Sequence, residues 1–410
     1  GGGVVTVPPA MGLDELERLL TRESIGRVPV VEGGRIRSIV TRKDVLRAKH
    51  GDAYLDRGLP QVGSEAKGRF LAAIEELLPE DARSAMLELG RLAEERGDRA
   101  HVVGGFVRDM LLGRPNLDID VVVEGDGVAF AEAAAERLGG RVVVHRRFGT
   151  AVLVLGDGRH VDVTSARTEY YTRPGALPTV EASSLRQDLL RRDFSINAMA
   201  ACVNPACFGA IADPFGGLRD LEQGSIRVLH SLSFVEDPTR VFRAARFEQR
   251  YGFAIEPSTE ALARRCTDMG LLDEVSGARI REELFEILDE ELAVPPLARL
   301  EDFGALASVT PEEVASADVL EEASAVEESL AEVGGAFTPA PERRLALLCA
   351  LAAHAAPHEA ERWARWLRLG RSWIEALAHV ARDGTEVLRR LDDPWSDRAS
   401  RLYRLLEPFP

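Results

Sequence analysis

The chain has 410 residues, of which 45% are hydrophobic and 29% charged, as in ordinary globular proteins. This length favours two to four domains over a single core, and no apolar run reaches the roughly 18 residues that a membrane-spanning helix needs. The net charge of −16 weighs against nucleic-acid binding without excluding it, because an arginine-rich face can lie opposite an acidic one.

The start of the chain and its cysteines indicate a compartment. The chain begins with Gly1-Gly2-Gly3 rather than Met and has no basic segment followed by an apolar one, which indicates a piece of a longer protein without a leader. The four cysteines form no CxxC pair, so neither a zinc site nor a disulfide framework is expected; they are Cys202, Cys207, Cys266 and Cys349. We therefore expect a reducing cytoplasm.

Residues 1–50 predict the order strand, helix, strand, strand, helix. The segments are Val4–Val7, Leu13–Leu20, Arg27–Val31, Ile36–Val40 and a last helix that Thr41 is expected to cap. This order resembles the second half of a CBS domain, a family in which the positions of Thr41 and Asp44 often hold a nucleotide ribose. A nucleotide sensor, a linker and a remnant of a larger module all stay open, and the resemblance also allows a dimer through this module.

The middle of the chain changes from helical to mixed periodicity. Residues 59–98 carry a helical pattern at Phe70–Glu95 and form a predicted helical linker between the CBS-like module (1–58) and an α/β head (99–200). In the head we expect a small mixed sheet, with strands at Ala100–Val103, Ile119–Val123, Arg141–Val144, Ala151–Leu155 and His160–Val163 and a helix at Ala129–Leu138. From about residue 185 onward the pattern is almost entirely helical, and we divide it into segments 201–275 and 276–410.

The richest motif is the segment Gly104–Gly113, which follows the first strand of the head. Gly104 and Gly105 let the backbone approach a phosphate closely at the start of a helix, and Arg108 can donate to phosphate oxygens. Asp118 and Asp120 stand two apart on an extended segment, so their side chains point to the same face. Two such carboxylates favour a bound cation, and Mg²⁺ is the ion that prefers carboxylate and phosphate oxygens.

A third carboxylate, Asp162, lies on the alternating segment His160–Thr164 and is expected to face the same way. Three acids around two metal ions suit in-line nucleotidyl transfer, in which a metal lowers the pKa of the attacking hydroxyl and steadies the leaving group. An isolated Asp-x-Asp is usually a solvated turn. Its position directly after the glycine motif favours the catalytic interpretation.

Four motifs in order resemble those of class II tRNA nucleotidyltransferases and bacterial poly(A) polymerases, members of the polymerase-β superfamily. They are Gly104–Gly113 with Asp118–Asp120, Arg191–Ala200, Asp213–Gly217 and Glu236–Phe247, and they cover roughly residues 99–260. The resemblance implies a nucleotidyltransferase head, with 201–275 as a helical neck and 276–410 as a tRNA-binding body and tail. It implies Asp118, Asp120 and Asp162 as catalytic residues, the first two of them as metal ligands.

The resemblance also implies nucleotide-binding residues beyond Gly104, Gly105 and Arg108. Arg192 is expected against triphosphate or base, and Asp193 can accept a hydrogen bond from a ribose 2′-hydroxyl; Asn197 belongs to the same motif. Asp237, Arg240, Arg243 and Arg246 recur every third residue and are predicted to form one stripe on a helix. In the family the matching Asp and first Arg read the edge of the incoming base, which would select CTP and ATP, whereas Arg243 and Arg246 suit phosphate or a pair with Glu236.

Two other segments allow more than one interpretation. Thr168–Ser184 reads as a loop; it is either a plain connector or, from its position in the resemblance, the mobile loop that the family uses for A addition. The segment Arg362–Arg371 mixes arginine with tryptophan, so it suits either duplex RNA binding or a helical core in which Trp363, Trp366 and Trp373 pack.

The favoured function is therefore addition of C, A or both to the 3′ end of tRNA, with ATP and CTP as substrates and Mg²⁺ as cofactor. A poly(A) polymerase shares the head motifs, but His145–Ala151 looks more like the tRNA enzymes. A CBS-type sensor or RNA-binding scaffold with an inactive head is the third interpretation, and the intact acidic and basic residues weigh against it. The loop at Thr168–Ser184 is not visibly shortened, which disfavours a CC-only enzyme.

Overall fold

The structure is a computed structural model that describes residues 5–22, 27–33, 35–41, 44–45, 48, 63–145, 149–170, 179–308, 310–311, 317–333 and 342–391. The chain divides into two compact units, Gly1–Ser233 and Phe234–Pro410. Among the described residues no helix has both the length and the apolar character that crossing a bilayer requires. The division into five segments made from the sequence stays a prediction.

The first elements are helix α1 (Leu13–Arg22) and the antiparallel strands β1 (Arg27–Glu32) and β2 (Arg35–Thr41), as predicted. Their apolar side chains form a small core with Val7, Leu16, Leu20, Val28, Val30 and Val45. Val4, the first residue of the expected strand Val4–Val7, lies outside the described residues, and of the other three only Val7 pairs, in an isolated bridge with Val30. The predicted cap is present, because Asp44 N–H donates to Thr41 Oγ1 and Thr41 N–H donates to Asp44 Oδ2.

The helical pattern predicted over Phe70–Glu95 is two helices rather than one, α2 (Ser64–Leu77) and α3 (Glu80–Arg96). Leu78 is extended (φ −87°, ψ 132°) and Pro79 follows it as the N-cap of α3. Proline disfavours the helical conformation of the residue before it, which accounts for the break.

The head is built on a seven-stranded mixed sheet, which confirms the predicted α/β fold. After β1 and β2, the first unit of the chain contains ten more strands: β3 (Arg99–Val103), β4 (Ile119–Glu124), β5 (Arg141–His145), β6 (Thr150–Val154), β7 (His160–Ser165), β8 (Arg167–Tyr170), β9 (Thr179–Ala182), β10 (Ala200–Cys202), β11 (Ile211–Ala212) and β12 (Ser225–Ile226). The order in the large sheet is β11-β10-β3-β4-β7-β6-β5, with β4 and β7 parallel and the other neighbours antiparallel. The five strands predicted for residues 99–165 are thus confirmed.

Four helices complete the first unit: α4 (Gly105–Leu111), α5 (Gly127–Leu138), α6 (Leu185–Leu190) and α7 (Gly217–Glu222). Helix α5 packs against β5, β6 and β7, and the buried run Val121–Val123 places β4 in the core. Short 3₁₀ turns at Ser195–Asn197 and Pro205–Cys207 separate the smaller elements.

Three predictions for this unit were wrong. The segment Thr168–Ser184 is not a plain loop, because β8 and β9 pair as a hairpin on either side of residues that lie outside the described part. The region after 185 was predicted to be almost entirely helical, but its first part contains β10 and β11, which add two short strands to the sheet. The sulfurs of Cys202 and Cys207 are bonded, although no disulfide was expected from the spacing of the cysteines.

The second unit is helical, as predicted. After α8 (Ser233–Glu236), which begins at the boundary, it contains α9 (Arg240–Tyr251), strand β13 (Ala254–Ile255), α10 (Pro257–Asp268), α11 (Gly277–Leu288), α12 (Val294–Asp302), α13 (Ala317–Val333), α14 (Arg343–Ala352), α15 (Pro357–Trp366) and α16 (Arg371–Leu391). Helix α9 packs against α11 and α12, and α15 packs against α16. Leu284, Ile287, Leu297 and Leu300 are fully buried between these helices.

Candidate active site

The turn after β3 depends on a glycine. Gly104 has φ 71° and ψ −134°, a conformation that residues with a side chain rarely adopt, and its N–H donates to the Met199 carbonyl. A Cβ atom at Gly104 would lie 2.6 Å from Arg192 Nη1 and 3.8 Å from Asp120 Oδ2. The turn therefore leaves its backbone open beside an arginine and a carboxylate. At Gly105 a Cβ atom would meet the Arg108 guanidinium at 3.3 Å, which is a milder restriction.

Three carboxylates meet beside this turn. Asp120 on β4 and Asp162 on β7 are direct partners in the parallel register, so their side chains project from the same face of the sheet. Asp118 lies just before β4 begins. One ligand oxygen from each of the three residues lies within 4.8 Å of the other two. The structure thus brings together the three acids singled out in the sequence.

The electrostatics of this cluster favour a cation. Burial raises the pKa of Asp120 to about 6; Arg192 opposes the rise, and the charges of Asp118 and Asp162 add to it. Burial, together with the charge of Asp118, also raises the pKa of the Asp162 carboxyl. Within the described parts of the chain, none of the three carboxylates forms a hydrogen bond or ion pair with a side chain. Three crowded carboxylates, whose charges raise the pKa values of Asp120 and Asp162, fit a divalent metal ion, which the set of three oxygen ligands can hold.

Arg192 lies beside the cluster and forms an ion pair with the buried Asp188. Its Nη2 lies 3.3 Å from Asp188 Oδ2, and Arg191 donates two hydrogen bonds to Asp188 Oδ1. Although burial acts to raise it, the pKa of Asp188 is held below its usual value by these two guanidiniums. Arg192 Nε is buried and has no hydrogen-bond partner among the described residues. Nη1 of the same guanidinium borders the Gly104 turn.

Arg108, which was predicted to bind phosphate, is buried and held by protein partners. It is only 6% exposed; Nε and Nη2 donate to the two oxygens of Asp109 at 2.8 and 2.9 Å, and Nη1 donates to Asn197 Oδ1 at 2.6 Å. Asn197 Nδ2 in turn donates to Asp193 Oδ1, which also accepts from the Phe194 N–H. The structure brings Arg108, Asn197 and Asp193 into one buried network. Their contacts with a nucleotide stay predictions.

The acid of the fourth motif lies outside the helix on which the stripe was expected. Asp237 follows α8 and precedes α9, which begins at Arg240, because Pro238 disfavours a helical conformation at the residue before it. The prediction of one helical stripe from Asp237 to Arg246 was therefore wrong at its first member. Both oxygens of Asp237 accept from Arg279 Nη2 at 2.9 Å, and one accepts from the Thr239 hydroxyl at 2.7 Å.

Asp237 remains a carboxylate at neutral pH. Burial acts to raise its pKa, but the charges of Arg240 and Arg279 and the hydrogen bond from Thr239 hold the pKa below its usual value. Arg240 is also buried, at 4% exposure. The second unit thus presents a charged acceptor and a guanidinium close together.

Comparison with known proteins identifies the family. Residues 100–227 match the family described as "Poly A polymerase head domain", residues 252–315 match "Probable RNA and SrmB- binding site of polymerase A", and residues 3–51 match "CBS domain". A Thermotoga maritima CCA-adding enzyme solved with a tRNA is 36% identical and superposes with a TM-score of 0.71, over 82% of this chain and 78% of that chain. The chain belongs to the class II tRNA nucleotidyltransferase family.

Other members differ in the nucleotides they add. A-adding tRNA nucleotidyltransferases of Geobacter sulfurreducens and Aquifex aeolicus are 47% and 42% identical over 72% and 70% of this chain. A CC-adding enzyme of Deinococcus radiodurans is 40% identical over 52% of this chain. The chain spans only 34% and 33% of the two A-adding relatives and 56% of the CC-adding one. CCA-adding enzymes have also been solved with CTP and with ATP, at 36% identity over 82% of this chain and 78% and 76% of those chains, with a TM-score of 0.71 in both cases.

The two remaining motif arginines lie against helix α11 in this family member. Arg246 donates to Glu286 Oε2 at 3.0 Å, and Arg243 lies 3.7 Å from Glu283. Both guanidiniums also stack over the Phe247 ring. These contacts are structural pairings with α11. The predicted pairing with Glu236 stays a prediction. A role of Arg243 and Arg246 in nucleotide binding stays a prediction.

The tryptophan-rich segment favours packing over RNA contact. Trp363 is 5% exposed, and the Trp373 ring packs against Phe285 with centroids 5.7 Å apart. Neighbouring arginines pair with glutamates of their own helices, as in the pair of Arg362 with Glu359. Trp366, at 38% exposure, is the most accessible of the three. The segment His145–Ala151, used to separate tRNA enzymes from poly(A) polymerases, lies partly outside the described residues.

Sequence reasoning missed several residues that support the site. Asp188 stands three and four residues before Arg191 and Arg192, a helical spacing that could have suggested the ion pairs. Arg279 is 42 residues from Asp237, so no local pattern pointed to it. Asp109 and Asn116 were also given no role.

Proposed function

We propose that the protein adds nucleotides to the 3′ end of tRNA without a nucleic-acid template, using ATP and CTP as donors. The observation that carries this proposal is the cluster of Asp118, Asp120 and Asp162 beside the open Gly104 turn and Arg192. Membership of the tRNA nucleotidyltransferase family supports the choice of tRNA as acceptor.

Mg²⁺ is the proposed cofactor, held by Asp118 and Asp120 with Asp162 as the third acid of the site. When bound, it supplies positive charge that offsets the crowded carboxylates and the triphosphate and lowers the pKa of a coordinated hydroxyl. The raised pKa of Asp120 means that this carboxyl holds its proton more tightly than an ordinary aspartate does. Metal binding should therefore weaken as the pH falls below about 6.

In the proposed reaction the tRNA 3′-oxygen bonds to the α-phosphorus of the incoming nucleotide and pyrophosphate leaves. The side chain missing at Gly104 leaves room for the triphosphate, and Arg192 Nη1, which borders the turn, offers a donor to the triphosphate oxygens. Asp193 is the proposed acceptor for the ribose 2′-hydroxyl, which would favour ribonucleotides. Arg108 and Asn197 support Asp193 through the buried network.

Asp237 and Arg240 are proposed to select the base. A carboxylate can only accept hydrogen bonds, so Asp237 favours the exocyclic amino groups of adenine and cytosine over the carbonyls that uracil and guanine carry there. The pKa of Asp237 is held low by its guanidinium neighbours, which keeps it in this acceptor form at neutral pH. Selection then needs no nucleic-acid template.

Within this function we propose addition of the terminal A to tRNA that ends in CC. The support is that the curated relatives at 47%, 44% and 42% identity are named A-adding enzymes. Full CCA addition is the second candidate, supported by the CCA-adding enzymes that superpose over 82% of the chain. We place the reaction in the cytoplasm, where tRNA is matured. We also propose that the protein forms a dimer through the CBS-like residues 3–51, which light scattering can test.

The test is incorporation of each labelled NTP, with Mg²⁺, onto tRNA transcripts ending at the discriminator base, C, CC or CCA. A single A on the CC-ending transcript and nothing on the others supports the A-adding assignment. Two C and one A on the discriminator transcript move the assignment to a full CCA enzyme. Long A tails on unrelated RNA would instead indicate a poly(A) polymerase, and no incorporation on any transcript refutes the proposed function.

A further inference from the structure

Asp118 is the member of the acidic cluster that the sheet does not hold. Asp120 and Asp162 face each other on paired strands, so the ladder between β4 and β7 fixes their backbones. Asp118 precedes the first residue of β4 and is exposed. A ligand on an unpaired backbone segment loses conformational freedom when a metal binds, unless other contacts have already fixed it.

Asn116 supplies such a contact. Its Oδ1 accepts from the Asp118 N–H at 2.8 Å, and its Nδ2 donates to Asp109 Oδ2 at 2.7 Å. One half-buried side chain thus connects the backbone of the exposed ligand with the buried helix α4. An aspartate at this position could accept from the Asp118 N–H but could not donate to Asp109, and it would place a second carboxylate beside it.

Asp109 is itself firmly placed. It is 7% exposed, and its two oxygens accept from Arg108 Nε and Nη2 at 2.8 and 2.9 Å, a two-point pairing with a fixed geometry. Arg108 Nη1 continues to Asn197, whose amide donates to Asp193. The contact from Asn116 therefore ends in the same network that holds the residues proposed to bind the nucleotide.

We propose that Asn116 is a positioning residue that fixes Asp118 for metal binding and links it, through Asp109 and Arg108, to the nucleotide-binding network. This inference rests on the proposed function, because it takes Asp118 as a metal ligand. Asn116 acts only through its neighbours, so its removal should weaken metal binding without abolishing the chemistry. Partners of this kind typically change metal affinity by about 10- to 100-fold.

The experiment compares the full chain with three variants, Asn116→Ala, Asn116→Ser and Asp126→Ala. Serine keeps a hydroxyl that can accept from the N–H two residues on but is too short to reach Asp109, so it should restore part of the effect. Asp126 is the matched control: its carboxylate also accepts from nearby backbone N–H groups, of Val128 and Ala129, but beyond the other end of β4.

Two quantities are measured for each variant, the Mn²⁺ affinity by isothermal titration and the Mg²⁺ concentration that gives half-maximal incorporation. We expect Asn116→Ala to weaken Mn²⁺ binding about tenfold or more and to raise the Mg²⁺ requirement by a similar factor, with kcat recovered at saturating Mg²⁺. Asn116→Ser should lie between Asn116→Ala and the unmodified chain, and Asp126→Ala should match the unmodified chain in both quantities.

Unchanged Mn²⁺ affinity in both Asn116 variants overturns the positioning role, and so does an equal loss of affinity in Asp126→Ala, which would indicate a general loss of stability. Asp118→Ala separates this result from the fate of the proposed function. If Asp118→Ala abolishes Mn²⁺ binding while Asn116→Ala leaves it intact, only the role of Asn116 fails. If Asp118→Ala also binds Mn²⁺ normally, the metal assignment itself fails.

Discussion

Replacing Asp120 by asparagine should stabilise the metal-free protein while it destroys metal binding. The pKa of Asp120 is about 6 in the folded chain against an ordinary 3.8, a difference of about two pH units. At about 1.4 kcal/mol per pH unit this amounts to about 3 kcal/mol, and partial exposure reduces the expected gain to about 1–3 kcal/mol. The carboxylate is thus a cost to the fold that a bound cation would offset.

The sign of the pH dependence follows from linkage. Because the folded state holds the Asp120 proton more tightly than the unfolded state, the stabilising contribution is present below about pH 4 and is lost as the pH rises through about 6. Asparagine stays neutral at every pH, so the Asp120→Asn chain keeps this stabilising contribution as the pH rises. The gain from Asp120→Asn should therefore be visible at pH 7.5 and absent at pH 4.

Thermal unfolding of the chain in EDTA at these two pH values tests the argument. A gain of 1 kcal/mol corresponds to about 2–4 °C in a unit of this size. Added Mg²⁺ should raise the melting temperature of the unmodified chain but not of Asp120→Asn. Asp126→Asn is the control, because asparagine also caps a helix and the change should stay within about 0.5 kcal/mol. If Asp120→Asn is instead less stable than the unmodified chain in EDTA at pH 7.5, the ionised Asp120 carboxylate does not destabilise the fold.

Three further predictions concern the surroundings of the acids. Gly104→Ala should lower incorporation at least about tenfold, because the new Cβ would lie 2.6 Å from Arg192 Nη1; Gly113→Ala, also at positive φ but with no atom within 4 Å, isolates the effect of backbone strain. Asp188→Asn should cost about 3–5 kcal/mol in urea unfolding, because two guanidiniums lose a buried partner. This cost should shrink as the pH falls, because the unmodified carboxylate then protonates as well. Asp237→Ala should blur the choice of NTP in competition assays more than it slows transfer, and retained C/A preference would contradict the proposed base reading.

The head was predictable because its local signals agree with one another. Alternating or continuous apolar runs marked β3 to β7, and the two-residue spacing of Asp118 and Asp120 indicated a shared face. The face of the sheet from which the Asp162 side chain projects could be predicted from the alternation of residues along its own strand. That it stands directly opposite Asp120 depends on the parallel pairing of β4 with β7, which no local pattern determines.

The features that were missed depend on distant contacts or on single residues that break a pattern. The pairing of Arg279 with Asp237 and the link from Asn116 to Asp109 exist only in the folded chain. Asp237 lies outside the helical stripe, which begins at Arg240, because Pro238 outweighed the three-residue periodicity. Strands β10 and β11 are three and two residues long, too short for a recognisable period.

The acidic cluster is proposed to carry nucleotidyl transfer to tRNA. The decisive experiment is transfer of labelled AMP from ATP onto a CC-ending tRNA, with Mg²⁺, by the unmodified chain and by Asp118→Ala and Asp120→Ala. We expect one A per tRNA for the unmodified chain and a loss of at least about 1,000-fold in each variant, with folding retained. Normal turnover by either variant, or no transfer by the unmodified chain, would contradict this proposal.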